Sequence, residues 1–196
     1  MMAPPTADET RVRILKEAER LFRHYGYSKT TVADIADACA MSSANVYRFF
    51  PSKSHIVEAI CELLTSALEA ELGRIARSKE PASERLTKVI LRIAQHTVET
   101  LVHEKKVHEM VVVAMEENWP AIDRHLNAVE ALIAGIVASG IEAGEFRKQD
   151  PLHAAKCVHT AIAGFSHPVV AAQCSGDPSM LPPQDMAAFL LTALKV

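Results

Sequence analysis

The chain has 196 residues, 49% of them apolar and 23% charged, with a formal net charge of −3. This composition suits a soluble protein with a buried core in one or two domains. No uninterrupted apolar run approaches ~18 residues, so the sequence holds no candidate membrane span. Aromatic residues make up only 5%, and long mixtures of Ala, Leu, Ile and Val with Glu and Arg favour helices over sheets. The expected fold class is all-α.

Charge is distributed unevenly. Residues 1–55 carry eight Lys/Arg against six Asp/Glu, whereas the remainder carries thirteen against eighteen. A mildly basic N-terminal module on an acidic body is compatible with nucleic-acid contact at one end. Cys39, Cys61, Cys157 and Cys174 form no CxxC pair and read as reduced thiols. Cys39 is expected to be a small buried residue. Residues 1–7, with Pro4 and Pro5 but no hydrophobic targeting core, read as a loose leader, and the expected location is cytoplasmic.

From Asp8, the positions Ile14, Ala18, Leu21 and Tyr25 recur at helical spacing, flanked by Val12, Leu15 and Phe22, and Gly26 supplies a stop. Thr31 caps a second helix, with Asp34 placed to reach back. Val32, Ile35 and Ala36 form its inner face. Ala38–Met41 reads as a tight turn and Ser42 as the cap of a third helix running from Ser43 to about Phe49. Pro51 ends that helix, and a fourth begins at Lys53 and runs to about Ser78. Residues 79–83 mark a boundary. Amphipathic stretches follow at Glu84–Glu104, Lys106–Glu117 and Pro120–Ala143. After a break at residues 144–147, one helix is expected from Asp150-Pro151 to about Gln173, then a loop, then a last helix over Gln184–Lys195.

Three short helices in about 45 residues, with a four-residue turn between the second and third, have helix-turn-helix proportions. Such a unit sets its last helix in the major groove, where base edges differ. Ser43, Asn45 and Arg48 are residue types that hydrogen-bond base edges. Tyr47, Thr31 and Lys53 suit phosphates.

The strings Thr10-Arg11-Val12-Arg13-Ile14-Leu15-Lys16-Glu17-Ala18-Glu19-Arg20-Leu21-Phe22, Gly26-Tyr27 and Thr30-Thr31-Val32-Ala33-Asp34-Ile35-Ala36, then Ser42, Tyr47, Phe50 and Lys53, resemble the TetR family of transcriptional regulators over about residues 8–57. The resemblance implies phosphate contacts from Thr31, Tyr47 and Lys53, and base or mixed contacts from Ser43, Ala44, Asn45 and Arg48. Two positions depart from the family pattern: Ala40 stands where a turn glycine is usual, and Ala44 where glycine is frequent. Alanine in a turn that needs positive φ costs about 1 kcal/mol.

The resemblance also implies a C-terminal helical domain that binds a small molecule and dimerises. The expected organisation is a leader at 1–7, a helix-turn-helix DNA-binding domain at 8–55, a linking helix at 56–80 and a ligand-binding and dimerisation domain at 81–196. Apolar residues on more than one side of Leu152–Gln173 and Met186–Leu194 point to a homodimer through the last two helices. A pocket is expected among residues 84–171, lined by Ile93, Val111, Met115, Ile133 and Phe165, with Trp119 as a wall. The candidate polar groups are His96, His103, His108, His125, His159 and His167. Neither Glu104 with His108 nor His153 with Cys157 makes a metal site, and no cofactor is expected. With no nucleophile–base pair, phosphate loop or metal cluster, an enzyme is not expected. The function expected is a repressor of a palindromic double-stranded operator, released by a small-molecule effector. The alternative is a helix-turn-helix protein controlled by a protein partner, or one without any small ligand.

Overall fold

A computed structural model describes residues 6–117, 119–177 and 179–195, with Leu101 described by its backbone only. Helix α1 (Ala7–Tyr25) opens on a reciprocal cap: the Thr6 hydroxyl accepts from the Glu9 N–H at 3.2 Å, and the Glu9 carboxylate accepts from the Thr6 N–H at 2.7 Å. Thr6 and Ala7, expected in the leader, therefore belong to the helix, and residues 1–5 lie outside the described residues. Gly26, at φ +92°, ends α1. The buried face is Ile14, Leu15, Ala18, Leu21 and Phe22, while Val12 and Tyr25, at the edges of the same stripe, stay exposed.

Helices α2 (Val32–Ala38), α3 (Ser43–Phe49) and α4 (Lys53–Ala76) follow as the spacing predicts. Beyond them lie α5 (Ala82–His96), a π-helical turn (Thr97–Val102), α6 (Lys105–Glu116), α7 (Pro120–Glu142), α8 (Pro151–Ala161), α9 (Ala163–Ser166), α10 (Pro168–Cys174) and α11 (Pro183–Leu194). The described residues contain no strand, only an isolated bridge between Phe146 and Lys195. None of their helices is long and apolar enough to cross a membrane.

Two expectations fail in the body. Glu84–Glu104 is not one α-helix, because its end widens into the π turn. Nor is Asp150–Gln173, which breaks at Ile162 and again at His167. Pro168 causes the second break: it has no N–H to donate, and its ring pushes His167 into an extended conformation (ψ 121°). No glycine or proline stands at Ile162 to mark the first.

Helix α7 packs along both α4 and α8, and α11 lies on α5. Buried side chains form two clusters. One holds Ile14, Phe22, Ile35, Val46, Phe50, Ile56 and Ile60 from the first four helices, together with Val107, Met110 and Ala114 of α6 and with Trp119. The other joins Leu68 and Leu72 of α4 to Leu86, Ile90, Ile133, Val137, Phe146, Ala155, Val158 and Leu190 of the body. The N-terminal unit thus has no closed core of its own.

The break at residues 144–147 is a working part of the fold. Gly144 turns the chain at φ +74°, and Glu145 then reaches back to α5, whose capping position is Pro81 and offers no side-chain acceptor. The Glu145 carboxylate accepts from the N–H groups of Ala82 (2.8 Å) and Ser83 (3.1 Å) and from the Ser83 hydroxyl (3.0 Å). Desolvation opposes its charge, but these hydrogen bonds prevail and hold the carboxyl below its ordinary 4.5. A pKa lowered by folding stabilises above the unfolded value and loses that contribution as pH falls through the folded value. Glu145→Ala should therefore destabilise the chain by roughly 1–2 kcal/mol in urea unfolding at pH 7. The gap from the parent should close once the pH is well below 4.5, and a gap that persists in acid would count against this cap.

Candidate DNA-binding head and ligand cavity

At the start of α2 the Thr31 hydroxyl accepts from the Asp34 N–H at 3.2 Å, and the Asp34 carboxylate accepts from the Thr31 N–H and hydroxyl, both at 2.7 Å. These bonds, the side-chain one first, lower the Asp34 pKa. The helix ends in a Schellman closure: Met41 N–H donates to Ala36 O, and Ala40 N–H to Asp37 O, each at 3.0 Å. Ala40 takes the left-handed position this closure demands, at φ +51°, and is the one non-glycine residue at positive φ among those described. Ala44 is an ordinary helical residue on the exposed face of α3.

Ser42 caps α3 through the Asn45 N–H (3.3 Å). Val46 and Phe50 are buried and Phe49 half-buried, which turns Ala44, Tyr47 and Arg48 together toward solvent. This is the i, i+3, i+4 grouping of a single helix face. Ser43 and Asn45 flank it, half-buried, with the Asn45 amide on the Met41 sulfur at 3.9 Å.

Two cations that fix the head were less legible in sequence. The Arg11 guanidinium donates to Phe49 O at 3.2 Å and lies 4.2 Å from the Phe50 ring centre, tying α1 to the end of α3. The Lys53 ammonium donates to Tyr27 O (2.9 Å) and Thr30 O (3.1 Å) and sits 4.1 Å from the Tyr27 ring centre. Burial lowers its pKa. Lys53 thus holds the α1–α2 loop with two of its three N–H donors, leaving one.

A cavity of about 370 Å³ lies between α4, α5, the π turn, α6, α7 and α8–α10. Of the six apolar or aromatic residues expected in a pocket, Ile93, Val111 and Met115 line it, as does His96 among the six histidines. Ile133 is fully buried in the body core. Trp119 packs into the head core, and its indole N–H donates to Glu117 at 2.8 Å. Phe165 borders a separate, open cleft beside α5. His125, His159 and His167 line the cavity, whereas His103 and His108 do not. Cys61, Leu64, Thr65 and Leu68 of α4 also line the cavity, although the sequence marks α4 only as a linking helix. Cys61 is a core residue with its thiol pushed up to about 12, first by burial and then by Glu58 and Glu62. Cys39 is also buried, as expected.

The polar lining is ordered by neighbours. His125 Nδ1 meets Glu69 Oε1 at 2.7 Å, and His159 Nδ1 meets Glu130 Oε1 at 3.2 Å. The pKa of His96 is lowered by burial, then by Arg92 and His125, against the pull of Glu99 and Glu71. His167 Nδ1 is buried without a hydrogen-bond partner. No group of three His, Cys, Asp or Glu among the described residues is arranged to hold a metal.

A capped helix with three outward side chains, its end held by Arg11 and the preceding loop by Lys53, fits the geometry of a DNA-reading head. Residues 14–60 match "Bacterial regulatory proteins, tetR family", and residues 82–181 match "Tetracyclin repressor-like, C-terminal domain". The chain belongs to the TetR family of transcriptional regulators. It is 27% identical over 157 residues to the transcriptional repressor KstR2 of Rhodococcus jostii, covering 74% of this chain and 75% of the relative. Its fold is shared with a transcriptional regulator of Cytophaga hutchinsonii (TM-score 0.68, 21% identity, 93% and 97% of the two chains). The triclosan complex of SmeT, the repressor of a Stenotrophomonas maltophilia multidrug efflux pump, also shares it (TM-score 0.66, 18% identity, 95% and 92%).

The Ala40 strain yields a direct test. A left-handed alanine costs roughly 1–2 kcal/mol, and the greater chain entropy of glycine offsets part of any gain. Ala40→Gly should raise unfolding free energy by about 0.5–1 kcal/mol, read as a shift in urea midpoint with an unchanged slope. A destabilised variant would contradict this reading.

Proposed function

We propose that this TetR-family regulator is a dimeric repressor that leaves a palindromic operator when a small molecule occupies the 370 Å³ cavity. One observation carries the reading: Cys61, Leu64, Val111 and Ile122 line the cavity and also belong to or pack against the core of the head. A ligand that moves these side chains acts on the packing that orients α3. The SmeT neighbour, with triclosan bound, supports a small-molecule role for such a body. A head controlled by a protein partner would have no need of this cavity.

On the operator, Ala44, Tyr47 and Arg48 face the groove, with Ser43 and Asn45 at its edge. Tyr47 and the third donor of Lys53 take phosphates. Thr31 reaches a phosphate by giving up its bonds to Asp34. One short helix reads few base pairs, so two heads set about 34 Å apart on the DNA multiply specificity.

The dimer is proposed to form through α8 and α11. Their Ala154, Ala155, Val158, Ala187, Leu190 and Leu194 are taken up by the chain's own core, but Leu152 and Phe189 remain 50% and 68% exposed. A second copy would bury these two. As a DNA-binding regulator the dimer is expected to act in the cytoplasm.

Titrating a duplex from upstream of its own coding sequence, at several salt concentrations, tests the DNA reading. Binding should prefer that duplex over a scrambled one and fall steeply with salt. Tyr47→Phe should weaken both duplexes alike, by about 3–10-fold. Arg48→Ala should either relax the preference by roughly 1–3 kcal/mol per base pair read or reduce the salt slope by about one. Binding indifferent to salt and sequence would refute the proposal.

A further inference from the structure

The cavity's fixed polar groups share one hydrogen-bonding sense. An ionised glutamate accepts only, so Glu69 and Glu130 require the proton of His125 and His159 on Nδ1. In the neutral ring this leaves Nε2 with a lone pair. Among the described residues neither Nε2 has a protein partner, and neither is a buried orphan. Both rings line the cavity, so a molecule bound there is placed to supply the partner that each Nε2 lacks.

Two lining hydroxyls point the same way. Thr65 donates its hydrogen to Cys61 O at 2.9 Å and Thr97 to Ile93 O at 3.0 Å, leaving only acceptor lone pairs. Thr100, Thr160 and Ser166 have rotatable hydroxyls that serve either role. The lining residues include no Lys or Arg, and the carboxylates of Glu69 and Glu130 stand directly behind two histidines. An anion entering here would stand near two carboxylates with no lysine or arginine among the lining residues to offset its charge. The rest of the wall is apolar, with Leu64, Leu68, Ile93, Val111, Ile122 and Val129.

We infer that the effector is an uncharged molecule with an apolar, ring-sized body and two hydroxyl or N–H donors, which it gives to Nε2 of His125 and His159. This rests on the reading of the cavity as the effector site. Burying acceptors against a body that lacks donors leaves them unsatisfied, which excludes the matching ether or hydrocarbon more strongly than size alone does. His125 bridges α7 to α4 and His159 bridges α8 to α7 through their glutamates, so a doubly bound effector would connect three helices of the body.

Calorimetric titration of the full-length chain tests this with 2,2′-, 3,3′- and 4,4′-dihydroxybiphenyl, the corresponding dimethoxybiphenyls and biphenyldicarboxylates, and unsubstituted biphenyl. At least one diol should bind one per chain, its dimethyl ether about tenfold or more weakly, and its dicarboxylate not detectably. His125→Phe and His159→Phe should each weaken the diol by about tenfold and leave the ether unchanged. His125→Gln, which retains an acceptor, should recover part of the loss, and this guards against a folding defect in the Phe variant. An ether equal to its diol, or a dicarboxylate that binds best, overturns the donor inference and leaves the effector cavity standing. A diol that binds through both histidines but leaves operator affinity unchanged keeps the donor inference and removes the effector reading. If no compound in the series binds, both fall.

Discussion

The structure depends on how the head's core is closed. Its first four helices leave an apolar face that α6 covers with Val107, Met110 and Ala114, while Trp119 seals the end. Fully burying a side chain of this size contributes about 1.5–3 kcal/mol, so the head cannot tilt freely away from α6. The adjoining face of α6 presents Val111 and Met115 to the cavity, and Val111 packs against the head core as well. One twelve-residue helix is therefore a wall of both compartments. Arg23 with Glu104 braces the same junction at its surface, and Arg124 with Glu58 and Glu62 ties α7 to the first half of α4; such surface pairs are worth little individually.

On the proposed function, this arrangement would make ligand sensing a matter of packing. Close-packed interiors respond to added volume by switching between discrete arrangements rather than by deforming smoothly. Filling the cavity would press on side chains that the head's core also uses. The π turn between α5 and α6 bears on this directly: Thr97 and Thr100 line the cavity from it, and it joins the cavity to the helix that contacts the head. A ligand shifts the equilibrium only by its difference in affinity for the two arrangements, so the cavity must fit one better than the other.

The head was legible in sequence because its determinants are local. Thr31 with Asp34, Ser42 with Asn45, and the left-handed Ala40 act within a few residues, and a periodic pattern suffices to place them. The sequence marks Lys53 as a phosphate contact, but its bonds to Tyr27 and Thr30 span more than twenty residues, and spacing carries no sign of them. The body was less legible because its helices are apolar on several sides. For Ile133, which is core, and Ile93, which lines the cavity, hydropathy is the same and only the neighbours differ. Pro168 was a readable signal that helical periodicity overshadowed. The histidines of the cavity were nameable, but the glutamates that orient them come from other helices.

The coupling across α6 is most directly measured by adding bulk on its cavity side and reading the head. Operator affinity of Val111→Trp should fall at least fivefold relative to Val111→Ala, at a coupling of about 1 kcal/mol or more, with helix content and oligomeric state preserved in both. Equal operator affinity in two folded, dimeric variants would contradict the shared wall as the path from cavity to DNA.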